Sequence, residues 1–322
     1  MSRGTCWPRR GGWEQDCDRW GRAVIAEGGA VTAAVTAPAF TAPAFTVPDR
    51  LFAGYALDLD GTVYLGDHAL PGAVQTIGRL RELGCGVVFV TNKPLETAAD
   101  YAAKLTRLGV PCDSTDVVTA TDSLLTYLAV KHPESRVLAV AEPVVRAALH
   151  EAGHQVTDDP AQADVVVVSF DRTFDYAKLT AAYRAVRLHG AALVATNPDP
   201  YCPTPDGGLP DCAAMLAAIE ACTGARAEAV TGKPSEHMVY AVLERLGFPV
   251  PAHTAMVGDR LSTDVAMATR AGMAGVLVLS GATGRGDLEL SDVKPQYVVD
   301  DLTQLLPTQP AHPTKTGYYA RG

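Results

Sequence analysis

Short, fully apolar runs alternate with helical patterns through most of this 322-residue chain. Clear runs occupy residues 87–90, 137–140 and 165–168, and apolar residues recur at helical spacing over 95–108. Strands that are apolar on both faces belong in a parallel sheet that helices cover on each side, because such a sheet has no solvated face. The alternation therefore predicts an α/β fold built on a doubly covered parallel sheet.

The two ends of the chain differ from this pattern. Residues 1–47 contain all three tryptophans, a tandem repeat of Thr-Ala-Pro-Ala-Phe and no sustained apolar period. We predict that they form a disordered extension, or that they precede the true start codon. Residues 307–322 are rich in Pro and Gly, and we predict a flexible tail there.

Composition and charge restrict the classes of partner. The net charge of −9 disfavours nucleic acid, because phosphate contacts need clustered Lys and Arg. An anionic metabolite is still compatible, since local charge decides its binding. Seven scattered cysteines without a Cys-x-x-Cys pair disfavour structural zinc and a disulfide framework, and they fit a reducing cytoplasm. The absence of an 18-residue apolar run predicts no membrane span.

Polar motifs follow four of the predicted strands. They are Asp58-Leu-Asp60-Gly61-Thr62, Thr91-Asn92, Gly232-Lys233-Pro234-Ser235 and Gly258-Asp259-Arg260-Leu261-Ser262-Thr263-Asp264. Ligands bind at the carboxyl ends of the strands in open α/β sheets, so the motifs are expected to meet there. Each motif alone also occurs as a turn, a helix cap or a solvated lysine, whereas all four together indicate one site. Paired carboxylates before a glycine turn suit a metal-assisted reaction on an anionic substrate.

In these motifs and in their order, residues 50–306 resemble the haloacid dehalogenase (HAD) superfamily of phosphohydrolases, and more closely its p-nitrophenylphosphatase/NagD-like branch. The resemblance implies a Rossmann-like core with a parallel sheet, formed by residues 48–133 and 227–306. It also implies an inserted α/β cap of the second type (C2) at 134–226. About 140 residues separate the second motif from the third, far more than a parallel crossover requires.

The resemblance gives the carboxylates and the lysine catalytic roles. Asp58 is the expected nucleophile, which forms an aspartyl-phosphate, and Asp60 protonates the leaving alcohol and later activates water. Mg²⁺ is the expected cofactor, held by Asp58, the backbone carbonyl of Asp60 and Asp259. Lys233 balances the remaining negative charge. Asp264 orients a metal-bound water or Lys233, or is only an acid at a helix start.

Phosphate binding is expected from the turns beside these residues. Backbone N–H groups around Gly61, the Thr91 hydroxyl, Asn92 and Lys233 are the predicted contacts with phosphoryl oxygens. The branch often has Thr-Asn-Asn-Ser where this chain has Thr-Asn-Lys-Pro. Lys93 either adds a cation near the phosphate or points outward, and we expect it to point outward.

The predicted cap contains a Pro-rich loop between residues 197 and 212 that is the expected determinant of substrate choice. The candidate specificity residues are Asp199, Tyr201, Cys202 and Asp211, and the alternative is that several of them only shape the loop. A vitamin phosphatase of this branch resembles Asp-Pro-Trp-His where this chain has Asp-Pro-Tyr-Cys, and this difference disfavours pyridoxal phosphate as the substrate.

These assignments predict a Mg²⁺-dependent phosphatase that acts on small phosphomonoesters. Sugar phosphates are the leading substrate class, followed by nucleoside monophosphates and phosphoglycolate-type metabolites. A phosphotransferase that uses another alcohol as acceptor is one alternative, and a phospho-accepting signalling module without turnover is another. The expected partner is a small phosphorylated metabolite, with a possible homodimer through the cap.

Overall fold

The computed structural model describes residues 46–202 and 208–307. The predictions for the extension 1–47 and the tail 307–322 therefore lie almost wholly outside the described residues, and so does the stretch 203–207 of the predicted specificity loop. No helix in the described ranges has both the length and the apolar character that crossing a membrane requires.

Strands and helices alternate along the described chain. The strands are β1 (Gly54–Asp58), β2 (Tyr64–Leu65), β3 (His68–Ala69), β4 (Gly86–Thr91), β5 (Val117–Thr119), β6 (Arg136–Val140), β7 (Gln155–Val156), β8 (Val165–Val168), β9 (Ala192–Ala195), β10 (Tyr201–Cys202), β11 (Leu209–Pro210), β12 (Ala229–Val230), β13 (Thr254–Gly258), β14 (Ala274–Val278) and β15 (Tyr297–Val299). The α-helices are α1 (Ala73–Glu82), α2 (Ala98–Arg107), α3 (Ala120–Lys131), α4 (Pro143–Glu151), α5 (Tyr176–His189), α6 (Cys212–Thr223), α7 (Glu236–Arg245), α8 (Ala266–Ala271) and α9 (Arg285–Leu290).

The first sheet has six parallel strands in the order β15-β14-β13-β1-β4-β5. Successive side chains of a strand point to opposite faces. Tyr55 and Leu57 of β1 accordingly pack in one hydrophobic core, and Ala56 between them packs in a second core. Helices α1 and α2 cover the first face, while α7 and α8 cover the other. The predicted α/β fold with a doubly covered parallel sheet is confirmed.

The second sheet has five parallel strands in the order β12-β9-β8-β6-β7. Its strands also alternate between two cores. One core contains Val166 and Val168 with side chains of α5 and α6, and the other contains Val165 and Val167 with side chains of α3 and α4. Both faces of this sheet are therefore buried, which explains why its strands are apolar throughout.

Two elements pack with the second sheet although the sequence placed them in the core segments. The core segment 227–306 was expected to include β12, but β12 pairs with β9 of the second sheet. The segment 48–133 was expected to include α3, but Leu124 and Leu128 of that helix pack in the second sheet's core. Both elements lie where the chain passes between sheets, and a short apolar pattern does not say which sheet will bury it. The assignment of residues 134–226 as an inserted cap remains a prediction.

Two helices begin later than the apolar pattern around them. The helix expected from residue 95 begins at Ala98, since Thr97 accepts a hydrogen bond from the Asp100 backbone and Asp100 accepts one from Thr97 in return. The segment that contains the end of the fourth motif begins with a π-helical turn, Leu261–Val265, and becomes α-helical only at α8. This π turn lies directly beside the candidate site.

Candidate active site

The carboxyl ends of the central strands bring the four motifs to one edge of the first sheet. Asp58 ends β1, Thr91 ends β4 and Asp259 follows β13, while Lys233 comes from the turn after β12. These side chains line a single cleft with an empty volume of about 540 Å³. Residues of the loop after β9, including Asp199, line the same cleft. The structure thus brings the polar motifs together as their spacing along the sheet predicted.

Lys233 joins two buried carboxylates at the base of this cleft. Its Nζ lies 2.5 Å from Asp58 Oδ1 and 2.7 Å from Asp264 Oδ1, and the whole residue is only 2% exposed. Burial by itself would lower the pKa of Lys233, but the combined attraction of Asp264 and Asp58 raises it above the ordinary lysine value. The lysine is therefore positively charged throughout the physiological pH range.

The carboxylates themselves are held in an unfavourable environment. Burial raises the pKa of Asp58 well above its ordinary value; Lys233 opposes this effect, and the charges of Asp264 and Asp259 add to it. Burial, followed by the charge of Asp264, raises the pKa of Asp259 to about 6. One lysine does not balance three carboxylates, so this cluster has an excess of negative charge.

The same three carboxylates offer a site for a divalent cation. One oxygen from each of Asp58, Asp259 and Asp264 lies within 4.8 Å of the other two. Asp264 Oδ1 is buried and, among the described residues, accepts no hydrogen bond of good geometry, although Lys233 Nζ is close to it. Hard oxygen donors and uncompensated negative charge fit Mg²⁺. Asp58 and Asp259 were predicted as metal ligands; a side-chain contribution from Asp264 was not.

Glycines leave the space that the Asp259 carboxylate occupies. A Cβ atom on Gly281 would lie 2.0 Å from Asp259 Oδ2, and one on Gly61 would lie 2.5 Å from the same oxygen. Gly61 also has a φ of 85°, a backbone conformation that residues other than glycine rarely adopt. The backbone N–H of Ala282 donates to Asp259 Oδ2 over 2.6 Å. This space and this hydrogen bond hold the Asp259 carboxylate in the acidic cluster.

The π turn places Asp264 under Lys233. Asp264 is only 1% exposed, and its Oδ2 accepts a hydrogen bond from the Arg260 backbone N–H over 3.0 Å. A Cβ atom on Gly258 would lie 2.2 Å from Asp264 Cγ, so the glycine makes room for this carboxylate. Asp264 therefore lies in ion-pair contact with Lys233, the geometry that its predicted role in orienting that lysine requires; the role itself stays a prediction.

Asp60 lies on the more open side of the cleft. Its side chain is 31% exposed, and its Oδ2 accepts a long hydrogen bond of 3.5 Å from the hydroxyl of Tyr64. Lys93 does not point outward as expected: it lines the cleft, with Nζ 3.8 Å from Asp60 Oδ2. The local sequence could not give this direction, because it depends on the distant β1 turn that carries Asp60.

The second motif behaves differently at its two positions. Thr91 is buried beside the cleft, and its hydroxyl accepts a hydrogen bond from the Lys93 backbone N–H over 3.1 Å. Asn92 was expected to bind phosphate, but its amide hydrogens are already committed: Nδ2 donates to Asp199 Oδ2 over 2.8 Å and to the Lys233 carbonyl over 3.0 Å. Its Oδ1 accepts from the Lys233 N–H over 2.7 Å. Asn92 therefore holds the Lys233 turn in this structure.

The four candidate specificity residues all lie at the cleft but in different settings. Asp199 and Cys202 are buried, whereas Tyr201 is 47% exposed. Asp211 caps α6 by accepting a hydrogen bond from the Cys212 N–H over 2.6 Å. Burial raises the pKa of Asp211 to about 6 and also raises that of Asp199. Asp211 therefore has a structural role in addition to its position at the cleft.

Arg260 is a cleft residue that sequence reasoning did not single out. Its guanidinium lies 3.5 Å from Asp199 Oδ1 and 5.5 Å from the centre of the Tyr201 ring. Arg260 thus links the fourth motif to the loop after β9. Its position directly after Asp259 was the available signal, since the neighbours of a metal-binding acid at a strand end often face the same cleft. Thr62 was also missed; its hydroxyl lies 3.5 Å from Asp58 Oδ2.

Comparison with known proteins identifies the family that shares this arrangement. The model of haloacid dehalogenase-like hydrolases matches residues 55–155, and a HAD-hydrolase-like model matches residues 230–305. The sugar-phosphatase AraL of Bacillus subtilis (strain 168) is 35% identical over 257 residues, which are 79% of this chain and 93% of that protein.

Solved structures agree in fold as well as in sequence. A 4-nitrophenylphosphatase from Thermotoga maritima superposes with a TM-score of 0.74 at 36% identity, over 79% of this chain and 96% of that one. A glycerol phosphate phosphatase from Mycobacterium tuberculosis in complex with magnesium gives a TM-score of 0.73 at 32% identity, over 81% of this chain and 78% of that one. The chain therefore belongs to the haloacid dehalogenase-like hydrolases, in the branch of the p-nitrophenylphosphatases, and is a phosphatase of small phosphomonoesters.

Proposed function

We propose that this phosphatase is Mg²⁺-dependent, acts on sugar phosphate-like esters and works through an aspartyl-phosphate on Asp58. The observation that supports the proposal most directly is the buried cluster of Asp58, Asp259 and Asp264, in which Lys233 forms ion pairs with Asp58 and Asp264. Such a group has a fixed cation for the phosphate and, in addition, the charge and the oxygen donors that a divalent ion requires.

Asp58 is the residue best placed to attack phosphorus. Lys233 binds its Oδ1, whereas its Oδ2 has only the 3.5 Å contact with the Thr62 hydroxyl among the described residues. Oδ2 forms the bond to phosphorus as the bond from phosphorus to the ester oxygen breaks. Burial raises the pKa of Asp58, and this supports the proposal because a divalent cation beside the carboxylate would favour its ionised form.

Asp60 has the exposure that proton exchange with the leaving group requires. It donates a proton to the departing alkoxide and later removes one from the water that attacks the aspartyl-phosphate. That second step releases inorganic phosphate and restores Asp58. Tyr64 and Lys93 contact Asp60 Oδ2 at 3.5 and 3.8 Å and hold the carboxylate near the entrance.

The acidic cluster supports a metal ion beside the nucleophile. Asp58 and Asp259, with Asp264 beside them, would hold Mg²⁺, and the ion would neutralise the charge that repels the phosphate dianion from the nucleophile. The sugar phosphate class is supported by the substrate in the name of the B. subtilis relative. The half-exposed Tyr201 ring offers a flat apolar surface for the leaving group.

The test is phosphate release from a pentose phosphate, glycerol phosphate, a nucleoside monophosphate, phosphoglycolate and 4-nitrophenyl phosphate. Each is measured with Mg²⁺ and with a chelator, for the wild type and for Asp58→Asn. We expect metal-dependent multiple turnover, highest for the sugar esters and absent in Asp58→Asn. A ³²P-labelled substrate stopped in acid should leave label on the protein that hydroxylamine removes.

Other outcomes would identify the alternatives. Transfer of label to added glycerol in preference to water would indicate a phosphotransferase. One equivalent of labelled protein without further turnover would indicate a signalling module. Full activity in Asp58→Asn, with an unchanged thermal midpoint, would contradict the nucleophile assignment.

A further inference from the structure

The loop that follows β9 forms a buried contact with Asn92, which follows β4, and with the turn at Gly232 and Lys233. We call this contact the seam. The seam consists of Asn92, Asn197, Asp199, Gly232 and Lys233. Asn197 Nδ2 donates to the Asn92 carbonyl over 3.1 Å, and Asn92 Nδ2 donates to Asp199 Oδ2 over 2.8 Å. The second sheet therefore reaches the first through hydrogen bonds at Asn92.

Asn92 also forms hydrogen bonds with the backbone of Lys233. Its amide accepts from the Lys233 N–H and donates to the Lys233 carbonyl, so it binds both backbone groups of the lysine. The amide has one correct orientation, because the Lys233 N–H is only a donor and the Asp199 carboxylate, when ionised, is only an acceptor. Asp199 thus selects the orientation in which Asn92 can hold the lysine.

Close packing leaves the seam little freedom to rearrange. Asn197 is completely buried, and Asn92 and Asp199 are 7% and 8% exposed. Gly232 donates its N–H to the Thr196 carbonyl over 2.7 Å, and a Cβ atom on Gly232 would lie 2.6 Å from Asn92 Oδ1. A buried polar network of this kind fixes geometry only while all of its members are paired.

We infer that Asp199 is a positioning residue: it holds Asn92, and through Asn92 the Lys233 turn, so that Nζ stays against Asp58. The inference rests on the proposed function, in which Lys233 serves the reaction. It replaces the expectation that Asp199 acts through contact with the substrate. Its effect should therefore be the same for every phosphomonoester, because all of them use the same lysine.

A pair of substitutions separates positioning from charge. Asp199→Asn keeps an oxygen that accepts from Asn92, whereas Asp199→Ala removes it. We expect Asp199→Ala to lower kcat by about 10–100-fold, as losses of residues that support catalytic groups do. Asp199→Asn should stay within about threefold of wild type, since the hydrogen bond to Asn92 is kept. The loss should be equal, within about twofold, for a pentose phosphate and 4-nitrophenyl phosphate.

Substrate binding by Asp199 would give a different pattern. A rise in KM for the sugar ester alone, or an Asp199→Asn variant as impaired as Asp199→Ala, would overturn the inference. Arg260→Met serves as the matched control, because it removes the other partner of Asp199 without touching Asn92. If Asp199 acted mainly through Arg260, this variant and Asp199→Ala would show the same uniform loss of kcat.

A double substitution tests the route through Asn92. Residues that act through one contact are not additive, so Asn92→Ala combined with Asp199→Ala should be no more than about threefold slower than the slower single variant. Losses that multiply would show that Asp199 acts independently of Asn92 and would overturn the inference.

Hydrogen exchange gives a readout that does not depend on turnover. Backbone amides in residues 229–235 should exchange faster in Asp199→Ala than in the wild type, and Asp199→Asn should match the wild type. Equal exchange in all three proteins would overturn the inference. If the wild type hydrolyses none of the esters, the proposed function fails, while this exchange comparison still decides whether Asp199 positions the Lys233 turn.

Discussion

Both sheets place buried carboxylates just beyond the carboxyl ends of their strands, but the two sheets balance these charges differently. In the second sheet, Glu142 follows β6 and accepts two hydrogen bonds from the guanidinium of Arg172, at 2.8 and 3.0 Å. Asp171 follows β8 and lies 2.5 Å from Lys178 Nζ. Each acid there has its own cation, and the hydrogen bonds from Arg172 lower the pKa of Glu142.

The first sheet has no such one-to-one pairing. Asp58, Asp259 and Asp264 converge, and in the described part of the chain the ion pairs of this cluster are those of Lys233 with Asp58 and Asp264. Burial raises the pKa of Asp58 and of Asp259, whereas the pKa of Glu142 in the second sheet is lowered. A buried carboxylate is therefore not in itself a sign of function. The sign is a deficit of positive charge that the protein does not fill with its own side chains.

Of the changes considered, replacement of the lysine that pairs with the buried acids should give the largest difference in kcat between the two sheets. Lys233→Met leaves the carboxylates without their fixed cation, and we expect kcat to fall by at least about 10³-fold, as for the loss of a central electrostatic group. Lys178→Met also removes the partner of a buried acid, yet we expect wild-type kcat. Steady-state hydrolysis and thermal midpoints of both variants check this. Equal losses of kcat would remove the distinction between the sheets.

Metal removal is expected to affect only the first sheet. Chelation should stop turnover, and Mg²⁺ at about 100 times its Kd should restore it and raise the thermal midpoint by roughly 5–10 °C, because the ion binds the folded chain. Asp259→Asn should lose most of this thermal shift, since one ligand has become neutral.

The matched control is Glu142→Gln, in which the second sheet loses a buried charge. Its thermal shift with Mg²⁺ should equal that of the wild type. A thermal shift that persists in Asp259→Asn and disappears in Glu142→Gln would place the metal at the second sheet and contradict the prediction.

The pH dependence of stability should have opposite signs for Asp211, whose pKa is raised by burial, and for Glu142, whose pKa is lowered by Arg172. Asp211 has a pKa of about 6 in the folded chain, above its ordinary value of about 4, so its contribution to stability is complete below pH ~4 and is lost as pH rises through 6. Asp211→Asn keeps an acceptor for the helix cap and should be more stable than the wild type at pH 7, by on the order of 2 kcal/mol.

Glu142 has the opposite shift, so its contribution to stability is present at neutral pH and is lost as pH falls through its lowered pKa. Glu142→Gln should therefore cost about 1 kcal/mol at pH 7, a small value because Arg172 is largely exposed. Denaturant unfolding of the metal-free proteins at pH 4, 5, 6 and 7 measures both differences. Changes of the same sign at pH 7 would contradict the comparison.

The smallest effect is expected at the open side of the cleft. Lys93 and Asp60 are both about one-third exposed, and 3.8 Å separates their charged groups. Lys93→Met should lower kcat/KM by only about two- to fivefold, and the loss should shrink at high ionic strength because solvent and salt screen exposed charges. A loss above 100-fold, unaffected by salt, would show that Lys93 belongs to the buried catalytic group.

The sequence predicted the parallel sheet and the convergence of the motifs because both follow from local patterns. A run such as 87–90 is apolar on both faces, and the ends of parallel strands meet at one edge. It did not predict that Asn92 holds Lys233, because that contact joins turns from different sheets. The inward direction of Lys93 was missed because it depends on Asp60 in the turn after β1, and the role of Arg260 was missed because its partner Asp199 lies in the loop after β9.

Short elements gave the remaining errors. The strand β12 has two residues, so its pattern carries little information, and its sheet is decided by pairing with β9. The π turn Leu261–Val265 contains the same apolar spacing as an α-helix, and the position of Asp264 under Lys233 depends on the wider turn. In both cases tertiary contacts determine a geometry that local propensity leaves open.

The glycines that surround Asp259 impose a joint restriction on two distant parts of the gene. Position 61 lies in the first motif and position 281 follows β14, yet a methyl group at either one would occupy the space of the same carboxylate oxygen. A family survey should therefore find the two codons kept as glycine together wherever an aspartate occupies position 259. A chain that replaced either glycine would have to shorten or remove that acid.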